Sequence, residues 1–173
     1  GKAREYLAMA GYPDGFELEI GVRSYNVNNA EVIQAQLGQI GINVKISQME
    51  GAAYIDQNMS EKMQATCSEW QPATSDADNP LRNLLHSQSK ASSNDSRYNS
   101  PEFDALIDAA IQETDSAKAQ QLYSQAQQLV YEDVPIIPLY SPNWTVAANV
   151  HVKGVTIPAV GDAMVYKGMY WEP

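Results

Sequence analysis

Few side chains in this sequence are of a type that does covalent chemistry, and their spacing does not assemble them. Cys67 is the sole cysteine, so an internal disulfide is impossible, and a catalytic thiol would need His86 or His151 as its base. The two histidines fall on a helix end and near a strand end and read as surface or partly packed residues. Cys67 reads as a small, buried or half-buried thiol. There is no phosphate-cradling glycine loop, no Gly-x-Ser-x-Gly, no His-Glu-x-x-His and no Cys-x-x-Cys. Asp76 and Asp78 are hard-cation donors by type, but too few acids surround them for a Ca²⁺ loop, and helix capping ahead of Pro80 explains the pair equally well. The 21 Asp and Glu residues could supply an acid–base pair, yet nothing selects one. A carboxylate-based hydrolase would lack its nucleophile and base. No metal or cofactor is implied.

Side chains suited to holding a ligand are easier to find. Arg23 ends a strand, where its guanidinium could grip a carboxylate with two parallel hydrogen bonds, or simply pair with Glu19. Tyr25, Tyr54 and Trp70 offer a broad apolar face with a polar tip, as a small organic ligand requires, and core packing would use the same features.

The elements that must position these residues follow from periodicity. Ala3, Tyr6, Leu7 and Ala10 share one face of a helix over 2–10, closed by Gly11 and followed by a turn at Tyr12-Pro13-Asp14-Gly15. Phe16, Leu18, Ile20 and Val22 alternate with polar residues or glycine as a half-buried strand. Asn28 or Asn29 can cap the next helix, with Ala30, Ile33, Leu37 and Ile40 on one side and Gly41 at its end. Ile42, Val44 and Ile46 make a second strand, which completes a βαβ unit with parallel strands. A third helix is expected over 52–58 and a third strand over 63–70. Residues 71–99 are rich in Ser, Asp, Asn and Pro, interrupted by Leu81, Leu84 and Leu85, and 87–99 reads as an exposed loop. Ser100-Pro101 caps a helix striped by Phe103, Leu106, Ile107, Ala110 and Ile111, and Ala119, Leu122, Ala126, Leu129 and Val130 stripe the next. Short strands are expected over 134–140, 144–150 and 164–170. No repeat or linker divides the chain, which reads as one α/β domain over 1–173. In open α/β sheets ligands sit beyond the carboxyl ends of the strands, here Arg23 to Asn26, Gln48 to Glu50, and Trp70 onward.

Composition narrows the function. A chain of 173 residues with 44% hydrophobic and 18% charged residues can build one real core. Eleven Lys and Arg against 21 Asp and Glu give a net charge of −10, which argues against a nucleic-acid partner and against docking on anionic lipid. No run is long enough to span a membrane, and the start has no signal-peptide core. Gly1 opening almost directly into helix reads as the start of a piece of something larger.

Five segments, in order, resemble the C-terminal lobe of the family 5 bacterial extracellular solute-binding proteins. They are Ala10-Gly11-Tyr12-Pro13-Asp14-Gly15-Phe16; Gln39-Ile40-Gly41-Ile42-Asn43-Val44; Trp70 with Ser75-Asp76-Ala77-Asp78-Asn79; Tyr98-Asn99-Ser100-Pro101-Glu102-Phe103-Asp104-Ala105-Leu106-Ile107; and Leu122-Tyr123 through Asp133-Val134-Pro135-Ile136-Ile137-Pro138-Leu139-Tyr140. The resemblance implies one lobe of a two-lobed, periplasmic-binding-protein type II-like fold, a mixed sheet flanked by helices that closes on its ligand. It implies a receptor that is no enzyme, binding a small peptide or other small solute for an ABC importer and docking on the permease subunits as a monomer. Such a receptor is extracytoplasmic, in the periplasm or as a cell-surface lipoprotein, and this lobe would not insert into the membrane. Arg23-Ser24-Tyr25-Asn26 is similar to the Arg-x-Tyr-Asn stretch that dipeptide receptors place against the ligand, with Arg23 toward a carboxylate. Glu69, Trp70 and Gln71 match the segment whose main chain pairs with a bound peptide. Peptide receptors of the family carry an aspartate three residues after that tryptophan, against the peptide's amino group. This sequence has Ala73 there, so either Asp76 takes over or the ligand has no such amine. A sensor module of a transcription regulator is the alternative owner of such a lobe.

Overall fold

The computed structural model describes residues 1–60, 62–143, 145–157 and 166–173. The chain divides into two compact units, Gly1–Glu69 and Trp70–Pro173.

The first unit is built on a parallel three-stranded sheet. Helix α1 (Lys2–Met9) precedes β1 (Glu17–Arg23), and α2 (Val27–Gly38) leads to β2 (Asn43–Met49). Helix α3 (Gly51–Met59) leads to β3 (Ala65–Cys67), and the strand order β2-β1-β3 puts β1 at the centre. Alternation along β1 sends Ile20 and Val22 to one face, where they bury with Ala30, Ile42, Val44 and Cys67 and with Ile33 and Leu37 of α2. Val22 is fully buried, which is worth about 1.5–3 kcal/mol relative to exposure. Two glycines set the register. Gly15 and Gly41 both have φ near +90°, and a Cβ on Gly15 would lie 1.9 Å from the Gly41 carbonyl oxygen. Only side-chain-free residues allow the pre-strand turn and the end of α2 to meet there, and the ladder starts beside them with the Asn43 N–H donating to Phe16 O.

Three expectations for this unit change. Helix α2 begins at Val27, after a 3₁₀ turn over Ser24–Asn26, and neither Asn28 nor Asn29 caps it; Asn29 donates to the Asn26 side-chain oxygen instead. The third strand is three residues long, because only Ala65, Thr66 and Cys67 find partners on β1. Helix α1 buries none of its residues; Leu7 touches the core edge, Tyr6 stays exposed, and the helix is tied down by Arg4 donating to Gln39 O.

The second unit is helical. It holds α4 (Asp78–Leu85), α5 (Pro101–Gln112), α6 (Ser116–Asp133) and an antiparallel pair, β4 (Val152–Lys153) with β5 (Tyr170–Trp171). Leu81, Leu85, Phe103, Ile107 and Ala126 form its core. Ser100 caps α5 through the Phe103 N–H, with Pro101 in the first turn as expected, and Asp115 caps α6.

The segment 87–99 is not the exposed loop its polarity suggests. It opens with a 3₁₀ helix over Ser87–Ala91 and folds around Asn94, which is fully buried. The Asn94 amide nitrogen reaches the carbonyls of Leu85, His86 and Tyr98, and its oxygen accepts from the Tyr98 N–H. One amide side chain thus organises backbone that no apolar stripe could. His86, read as a surface or partly packed residue, is 2% exposed, between Asp104 at 3.7 Å and Asp108 at 3.5 Å. The stretch 134–140 forms no strand: Val134 caps α6 with φ +49°, a strained value for a β-branched residue, and Ile137, Leu139 and Tyr140 lie exposed. No strand forms over 145–150, and Trp144 lies outside the described residues. Of the last expected strand, Met164 and Val165 also lie outside them, and Tyr170 begins β5.

Candidate functional site

Because all three strands of the first unit run parallel, their carboxyl ends share one edge of the sheet. β1 ends at Arg23, in register with Met49, and the chain turns at once into the 3₁₀ segment that carries Tyr25 and Asn26. The sharp turn keeps three consecutive polar or aromatic positions at the strand end.

Arg23 is half-buried. Its Nη1 donates to the Tyr25 hydroxyl at 3.2 Å, and its guanidinium carbon lies 4.9 Å from the centre of the Tyr54 ring. Its Nε is buried, and no acceptor among the described residues reaches it. Glu19 does not pair with Arg23: its carboxylate takes the Ser47 hydroxyl and the Lys45 ammonium, and those bonds hold its pKa below the ordinary carboxylate range. Asn26 is 4% exposed, with its oxygen bonded to Asn29 and its Nδ2 buried without an acceptor among the described residues. Tyr25 is exposed. The edge therefore presents two buried, unsatisfied N–H donors, and a buried donor left unpaired costs about 1–3 kcal/mol. Such a deficit is what an acceptor-bearing ligand relieves. Glu69, exposed, closes this unit.

Trp70, Gln71 and Asp76 belong to the second unit, all three exposed. Asp76 has a structural task, since its carboxylate accepts from the Asp78 N–H as α4 begins. Asp78 in turn pairs with Arg82 at 3.0 Å, and Asn79 accepts from the Ala73 N–H. The acidic pair thus opens and steadies a helix, and among the described residues no group of three metal-ligating side chains forms.

Two features escaped sequence reading. Tyr54 stood out as an edge aromatic, but its place under the Arg23 guanidinium depends on where α3 starts. The His86–Asp104–Asp108 cluster is built from residues on different elements, and the Ser87 N–H and hydroxyl also bond Asp104. A shallow groove of about 250 Å³ lined by Gln34, Gly38 and Gly41 to Val44 lies at the opposite end of β2 from the ligand edge.

Comparison with known proteins gives a consistent answer. Residues 1–92 match the family described as bacterial extracellular solute-binding proteins, family 5 Middle. The chain is 35% identical over 160 residues to heme-binding protein A of Haemophilus influenzae, covering 88% of this chain and 29% of that protein. It is 35% identical over 145 residues to di/tripeptide-binding protein 3 of Pseudomonas aeruginosa, covering 80% of this chain and 27% of that one. Among solved structures it superposes on the periplasmic binding protein DppA of Helicobacter pylori in complex with the peptide STSA. That match has a TM-score of 0.73 and 35% identity, over 78% of this chain and 27% of the other. The chain therefore spans under a third of the length of these relatives. With more than half of its residues inside the matched region and the α/β fold in agreement, the chain belongs to the family 5 bacterial extracellular solute-binding proteins.

Proposed function

We propose that this chain is the C-terminal ligand-binding lobe of a two-lobed receptor that delivers a small peptide or peptide-like solute to an ABC importer. The observation that carries this reading is the pair of buried donors without acceptors, Arg23 Nε and Asn26 Nδ2, at the carboxyl end of the central strand. Donors with no acceptor suit an anionic or carbonyl-rich solute, and a peptide carboxylate offers both. Tyr25 lines the same edge. Glu69, Trp70 and Gln71 are the segment proposed to pair with the solute's main chain, where backbone hydrogen bonds give affinity and tolerate different side chains. The work done is binding and release by lobe closure.

Relatives named for dipeptides, glutathione and heme leave the solute class broader than peptides alone. Ala73 favours a solute without a cationic amine at that point: it has no charge to offer, and its N–H is bound to Asn79. Asp76 is occupied in the opening of α4. The run of exposed apolar residues Val134, Ile137, Leu139 and Tyr140 supports one lobe of a larger whole, because a surface this apolar asks for cover. The proposed location is extracytoplasmic, in the periplasm or at the cell surface through a lipid anchor, and the proposed partners are the importer's permease subunits. No helix among the described residues is long and apolar enough to cross a membrane.

Calorimetry on the protein encoded by the whole gene, against N-acetyl-Met-Leu and its C-terminal amide, tests the reading. N-acetyl-Met-Leu is expected to bind, the amide to bind at least tenfold more weakly, and Arg23→Ala to cost 30-fold or more, on the order of a lost buried charge pair. Equal binding of acid and amide would remove the carboxylate role of Arg23. Tight binding by the 173-residue chain alone would remove the need for a second lobe.

A further inference from the structure

β2 ends at Met49, in register with Arg23, and α3 starts at Gly51. Tyr54 consequently lies in the first turn of α3, with its N–H bonded to Glu50 O. Its side chain is 4% exposed, and its ring centre lies 4.9 Å from the Arg23 guanidinium carbon, within the roughly 6 Å reach of a cation–π contact. An arginine at a strand end otherwise samples many rotamers, and each mobile side chain frozen by a ligand weakens binding. Here two contacts restrict it in advance. The Tyr54 ring engages the guanidinium, and Tyr25 takes Nη1. The edge bearing Nε is left over, buried and without an acceptor among the described residues.

We propose that Tyr54 is a positioning residue for solute binding, whose ring holds the Arg23 guanidinium so that its Nε edge meets an incoming carboxylate. This rests on the carboxylate reading of Arg23 given above. An aliphatic side chain would fill the same space under the guanidinium, but only the electron-rich face of an aromatic ring attracts the cation as well.

The test uses ¹⁵N NMR of arginine Nε–Hε groups in the 173-residue chain, titrated with acetate and, as a control, chloride. The Arg23 resonance is assigned by its loss in Arg23→Lys. In the wild type it is expected to sit at a ring-shifted position and to move saturably with acetate. Tyr54→Phe should keep both properties. Tyr54→Leu should lose the ring shift and raise the acetate midpoint about tenfold, the scale of one cation–π contact. If leucine unsettles α3, pentafluorophenylalanine at position 54 keeps the volume and reverses the ring's charge distribution, and the same loss of affinity is expected. Acetate binding that is equal in the wild type and these variants overturns the role of Tyr54 and leaves the carboxylate reading standing. Acetate that never moves the wild-type resonance overturns the carboxylate reading, and the positioning role with it.

Discussion

The ligand edge of the first unit and the polar cluster of the second both bury polar side chains, but they finish the job differently. Around Asn94 the donors and acceptors are matched: its amide reaches three carbonyls, its oxygen takes the Tyr98 N–H and the Ser96 hydroxyl, and Tyr98 donates to Asp133. At the strand end, Arg23 and Asn26 each keep a buried N–H without an acceptor among the described residues. Saturated polar groups hold a fold together, and unsaturated ones held in place by their neighbours await a partner from outside. The second unit keeps one such atom as well, the buried His86 Nε2 at 3.5 Å from Asp108, but the Asn94 network and the strand end still separate stability from binding within one short chain, and that separation can be attacked by mutation.

The largest stability effect is expected at Asn94. Asn94→Ala takes the side-chain donor from the Leu85, His86 and Tyr98 carbonyls and the better acceptor from the Tyr98 N–H, leaving His86 O with the Ser89 N–H and the Tyr98 N–H with the Ser96 hydroxyl at 3.4 Å, at a cost of about 3 kcal/mol. Thermal unfolding should shift down by about 10 °C. A shift of a degree or two would mean the cluster is not what holds this segment.

Tyr98→Phe is a milder probe of the same region. It keeps the ring against Phe103 and removes the hydroxyl's bond to Asp133 together with its contact to Ser100, for a loss of about 1 kcal/mol. It also changes the alkaline limb. Burial, and then the bond to Asp133, push the Tyr98 phenol above its ordinary range. A folded-state value above the unfolded one gives stability that is complete below the unfolded pKa and lost as pH rises through the folded one. The wild type should lose stability above the ordinary tyrosine range more steeply than the phenylalanine variant, as measured by denaturant midpoints across that window.

The smallest effect on stability should come from the ligand edge. Arg23→Met keeps an unbranched stem over Tyr54 and removes a buried N–H that had no acceptor, so the midpoint should stay within about 0.5 kcal/mol of the wild type. A loss as large as that of Asn94→Ala would erase the contrast and make Arg23 a structural residue.

How much of this was legible depends on the range of the interactions involved. The βαβ unit is written in local periods: alternation along β1 and β2, an apolar stripe on α2, and glycines where the turns meet. The start of α5 is equally local, since Ser100 and Pro101 act within one helical turn. Residues 87–99 misled because their burial comes from one asparagine bonded to backbone on either side of it, a pattern that composition reads as solvated loop. Residues 134–140 misled in the opposite sense. Their apolar content suits a strand, but strands need partners, and none forms for them among the described residues.

The sequence by itself determined the parallel unit, the Ser100-Pro101 start of α5, and the family. Periodicity, spacing and five ordered segments are properties of the chain alone. Only the tertiary structure decided which polar residues are satisfied. Whether Arg23 meets Glu19 or Tyr54, and whether His86 faces water or two aspartates, depends on side chains from separate elements arriving within a few ångströms of each other. A hydrogen bond fails over a fraction of that distance, so no spacing along the chain can foretell it.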